Sequence, residues 1–94
     1  MNLAKEKIKK LSDLEEQAFA VIFTSIDQGI NYPMVCKSSD IFSKLEEKLY
    51  LEYPKYKKPN NFFTANGRII NKHESLEKNG IKNGTYIILN NDDE

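Results

Sequence analysis

The chain has 94 residues, enough for one domain and too few for two. Its 14 Lys and Arg balance 14 Asp and Glu, so it lacks the net positive charge on which nonspecific nucleic-acid binding draws. One Cys and one His can build neither an internal disulfide nor a Cys/His zinc site, and no apolar run approaches the ~20 residues of a membrane-spanning helix.

From Asn2 to Gln17, Ala4, Ile8, Leu11 and Leu14 recur at helical spacing, with Ala18 next in the series and charged residues on the other faces. This predicts an amphipathic helical extension over residues 1–18. The extension either packs its apolar stripe on its own domain or frays, or it is a linker or coiled-coil helix that joins a partner or a second copy. The segment has no apolar core of the secretory-signal type, and a lone cysteine fits a reducing compartment, so the expected location is the cytoplasm or the nucleus.

Phe19 to Ile26 is rich in β-branched and aromatic residues and reads as a strand. Asp27, Gln28 and Gly29 form a turn signal, with glycine expected at a left-handed position. A second strand follows from Ile30 to Lys37. Tyr32, Met34 and Cys36 alternate toward the core, and Pro33, which has no N–H to donate, places this strand at a sheet edge. Ser39 or Asp40 is the expected N-cap of a helix whose apolar stripe is Phe42, Leu45, Leu49 and Tyr53, ending before Pro54. Pro54 to Asn61 reads as a polar loop. Short strands at Phe62–Ala65 and Arg68–Asn71 flank an Asn66-Gly67 turn. Leu76 and Ile81 anchor a turn-rich stretch, Thr85 to Leu89 is the last strand, and the end of the chain is polar and acidic.

The order ββαβββ predicts an α+β fold in which the helix segment is the crossover that lets the first and last strands pair in parallel. Phe63 to Ile70 (FTANGRII) and Leu76 to Leu89, with its Gly80-Ile81-Lys82-Asn83-Gly84 stretch, carry a resemblance. Together with the hairpin and the helix, they resemble ubiquitin-like β-grasp domains over about residues 19–90, followed by an acidic tail at 91–94. The resemblance implies a mixed sheet and a non-catalytic protein-interaction role, as part of a larger protein or as an adaptor to one. Conjugated members end in Gly-Gly, whereas this sequence ends Asn90-Asn91-Asp92-Asp93-Glu94, so the expectation is a non-conjugated domain.

Receptors of ubiquitin read the outward side of its third and fifth strands. Carried over by position, that side is Phe62, Thr64, Ile87 and Leu89, rimmed by Arg68 and Lys72, with Thr64 where ubiquitin has its central isoleucine. An exposed apolar patch marks a partner site. Two alternatives compete: cover by the N-terminal helix or a neighbouring domain, and a register one residue out, which would turn these side chains into core.

Catalytic ingredients are sparse. Cys36 reads as a small core hydrophobe and His73 as a solvated turn residue. Glu46 and Glu47 are adjacent on a helix and point to different faces, and the glycines fit turns rather than a phosphate loop. No cofactor and no enzymatic activity are expected. Lys55, Lys57 and Lys58 interleave with Tyr53 and Tyr56, but three lysines on a neutral chain are a faint nucleic-acid footprint.

Overall fold

The structure, a computed structural model, describes residues 18–92. The predicted N-terminal helix lies outside the described residues except for Ala18, and Asp93 and Glu94 of the tail lie outside them too. Strand β1 (Phe19–Ser25) and strand β2 (Asn31–Cys36) form a hairpin. Helix α1 (Phe42–Glu52) follows, then a 3-10 turn (Pro54–Tyr56). Strands β3 (Asn61–Ala65), β4 (Arg68–Ile69) and β5 (Tyr86–Asn91) complete the order.

The sheet runs β2-β1-β5-β3-β4. β5 lies beside β1 in parallel, and every other pairing is antiparallel. This is the ubiquitin-like β-grasp arrangement, a mixed sheet carrying one helix. β2 is an edge strand, where a proline at position 33 costs no ladder bond.

Alternation along the strands supplies the core: Val21 and Phe23 from β1, Met34 and Cys36 from β2, Phe63 and Ala65 from β3, Ile87 and Leu89 from β5. Phe42, Leu45 and Leu49 of α1 close over them. Three phenylalanines meet at the centre, with the Phe42 ring 5.0 Å from Phe63 and 6.1 Å from Phe23, and Phe23 5.9 Å from Phe63. Burying each such side chain stabilises the fold by roughly 1.5–3 kcal/mol. Leu76 and Ile81 are buried, so the turn-rich stretch is pinned where its two aliphatic anchors require.

Two local expectations are corrected. α1 begins at Phe42, with Ile41 at the N-cap and no side-chain cap. Its free N–H groups find backbone partners instead: Phe42 donates to the Glu74 carbonyl (3.1 Å) and Ser43 to the Lys72 carbonyl (3.0 Å). Asp40 uses its carboxylate to accept from the Lys37 N–H at 2.8 Å, which tightens the preceding turn. In the β1–β2 turn the left-handed residue is Gln28 (φ 64°), not Gly29. Glycine is needed at 29 for space, because a Cβ there would strike the Tyr56 hydroxyl. That hydroxyl donates to Asp27 Oδ2 at 2.9 Å, tying the 3-10 turn to the hairpin.

Candidate functional site

The face of the sheet away from α1 is defined by cross-strand pairs, since partners across a ladder point to the same side. Ile22 pairs with Pro33 on one side and Tyr86 on the other. Ala20 pairs with Val35, and Thr24 with Asn31 and Ile88. Thr64 lies between Ile88 and Ile69, and Phe62 pairs with Asn90. None of these residues is charged, in a chain that is 30% charged. Val35, Ile69 and Tyr86 are 69%, 71% and 62% exposed, and Ile22, Phe62 and Ile88 are half-buried. The result is an apolar band across the sheet. Polar groups interrupt it at Thr24, Thr64 and Asn90, and the Asn90 amide donates to the Thr64 hydroxyl at 3.2 Å.

Of the residues expected to form this surface, the structure keeps Phe62 and Thr64 on it. Ile87 and Leu89 are removed from it: they are 0% and 5% exposed, and Ile87 pairs with buried Phe23. Parallel pairing of Ile22 with Tyr86 sets the phase of β5 and turns Tyr86 and Ile88 outward, so the β5 assignment is displaced by one residue. Arg68 is exposed but pairs with buried Ala65, which puts it on the helix side of the sheet edge. Lys72 leaves the rim altogether. Its Nζ lies 2.8 Å from Glu46 of α1 and 5.7 Å from the centre of the Phe63 ring, bracing the helix against β3. Ile22, Val35 and Ile69 were not among the expected site residues, although strand alternation from Phe23 and Cys36 carries enough signal to find the first two.

Cys36 is buried, and burial pushes its thiol up to about 11, far from a ready nucleophile. His73 is exposed in its turn. Tyr53 and Tyr56 pack edge to face with ring centres 6.2 Å apart, and the Tyr56 hydroxyl is held by Asp27, so these rings are engaged in the fold beside exposed Lys55, Lys57 and Lys58. The Asp27 carboxyl is held below its ordinary value by hydrogen bonds from the Ser25 hydroxyl, then the Gly29 N–H and the Tyr56 hydroxyl. The hollow next to this cluster is about 50 Å³, room for a few waters and far below the roughly 300–1,000 Å³ of a small-molecule site. A larger open groove of about 760 Å³ runs beside α1. It offers the exposed Leu51 among Glu46, Glu47 and Lys57.

No family model matches the chain, and no curated protein matches it. Solved structures do. The ubiquitin-like domain of an Arabidopsis thaliana protein superimposes with a TM-score of 0.66 at 13% identity, covering 79% of this chain and 77% of that one. A designed protein based on ubiquitin gives 0.68 at 18%, covering 82% and 92%. The ubiquitin of Caldiarchaeum subterraneum gives 0.59 at 17%, covering 78% and 91%. The chain therefore has a ubiquitin-like fold.

Proposed function

We propose that this chain is a non-catalytic ubiquitin-like interaction module that docks a protein partner on the sheet face opposite α1. It serves within a larger protein or as an adaptor to one, in a reducing intracellular compartment, without a cofactor. The observation that carries this reading is the unbroken run of uncharged residues on that face in a heavily charged chain. Binding energy at such surfaces concentrates in a few large anchors, here Phe62, Ile88 and Tyr86, with Ile22 and Ile69 beside them. Thr24, Thr64 and Asn90 supply hydrogen bonds without charge. The fitting partner is an apolar surface with an uncharged polar rim, and its binding depends little on salt.

Capture from the source cell on the immobilised full chain, compared with Ile88→Asp and Lys48→Asp, tests this. Proteins retained by the wild type and by the α1 substitution Lys48→Asp should be lost on Ile88→Asp while its circular dichroism stays native. The same proteins captured on Ile88→Asp would overturn the reading. If Ile88→Asp unfolds, Ile88→Ser repeats the comparison on a folded chain.

A further inference from the structure

Three Asn-Gly pairs occur in this chain, at Asn66-Gly67, Asn79-Gly80 and Asn83-Gly84. Such a pair can modify itself. The glycine backbone nitrogen attacks the asparagine Cγ, a C–N bond forms, and the carboxamide nitrogen leaves as ammonia, carrying away the displaced amide proton. Water then opens the five-membered imide at either carbonyl, leaving aspartate or isoaspartate. The reaction needs a free carboxamide, a free glycine nitrogen and room for the two to meet. Glycine provides the room, because it has no Cβ to obstruct the approach.

At two of the pairs the fold ties down both reacting groups. Asn79 donates through its amide nitrogen to the Asn71 carbonyl (3.0 Å) and the Ser75 carbonyl (2.9 Å), and its Oδ1 accepts from the Asn71 N–H (2.9 Å). The Gly80 nitrogen donates to the Glu77 carbonyl at 3.0 Å. Asn83 and Gly84 both grip Ala20: Asn83 Oδ1 accepts from its N–H at 3.1 Å, and the Gly84 nitrogen donates to its carbonyl at 2.7 Å.

Asn66-Gly67 is different. Among the described residues, neither the Asn66 carboxamide nor the Gly67 nitrogen has a hydrogen-bond partner. Asn66 is exposed, as Asn83 is, and the space around all three glycines is open, so it is the absence of these hydrogen bonds that sets the pair apart. The turn closes on β4, which has only two residues, so opening it breaks little structure. We infer that Asn66 is a site of spontaneous deamidation, selected by the fold from three chemically equivalent pairs. The product puts a carboxylate two residues before Arg68. Its isoaspartyl form lengthens the β3–β4 turn by one backbone carbon.

Ageing the full chain in mildly alkaline buffer, with peptide mapping by mass spectrometry at intervals, tests this. In the folded chain Asn66 should convert at least about tenfold faster than Asn79 or Asn83, the factor expected when even one or two net hydrogen bonds must open before reaction. In denaturant the three rates should converge. Asn66→Gln, which must close a larger ring, should remove the fast component from the folded chain. Equal rates in the folded chain, faster conversion at Asn79 or Asn83, or a preference for Asn66 that persists in denaturant would each overturn the inference.

Discussion

Truncating neighbouring isoleucines of β5 gives opposite outcomes if the two faces are assigned correctly. Ile87 is 0% exposed and pairs with Phe23 beneath α1. Cutting such a side chain to alanine costs about 2–5 kcal/mol, from lost burial plus the cavity left behind. Ile88 is half-buried on the outer face between Thr24 and Thr64, and Ile88→Ala costs roughly 1 kcal/mol or less. Residues 18–92, at the usual stability per residue, hold together with about 4–11 kcal/mol in all. Ile87→Ala therefore removes from a fifth of that stability to all of it. At about 4–8 °C per kcal/mol, Tm falls by at least ~8 °C, or the chain does not fold, whereas Ile88→Ala lowers Tm by no more than ~8 °C. Thermal melts followed by circular dichroism, with urea midpoints at fixed temperature, measure both. Equal losses for the two variants, or a harmless Ile87→Ala, would refute the assignment of faces and the docking surface built on it.

Gly29→Ala should destabilise by roughly 1–3 kcal/mol, because the new methyl meets the Tyr56 hydroxyl. In a Tyr56→Ala background that penalty should shrink, and strict additivity in the double-mutant cycle would show that the clash is not its cause. Asp27 governs an acid limb. Its folded carboxyl titrates below the ordinary 3.8, so its stabilising contribution is complete above that pH and is lost as pH falls through the folded value. Asp27→Asn should therefore lower stability at neutral pH and close the gap to wild type in acid, as read from urea midpoints against pH. A gap that stays constant would mean that the hydrogen bonds to Asp27 do not depend on its charge.

Residue order and periodicity alone determined most of the architecture. Alternating Tyr32, Met34 and Cys36 marked a half-buried edge strand, and Phe42, Leu45 and Leu49 marked one face of a helix. Leu76 and Ile81 stood out as anchors because nothing else in their stretch could be buried. Each of these signals is local, since one side of the element must be apolar and the other need not be. Tyr86, Ile87, Ile88 and Leu89 carry no such signal. With four large apolar residues in a row, either face could be the core, and only the parallel pairing of Ile22 with Tyr86 decided between them. The start of α1 was settled the same way. Asp40 is a good cap by composition, but the carbonyls of Lys72 and Glu74 arrive from across the fold and take the helix N–H groups first. Lys72 looked like the rim of a binding face until Glu46 and Phe63 were brought against it. Among the described residues, the sequence by itself determined which segments form strands and which forms the helix. Tertiary structure decided which side of β5 is displayed, because a face becomes a surface only when other strands and the helix have covered its opposite.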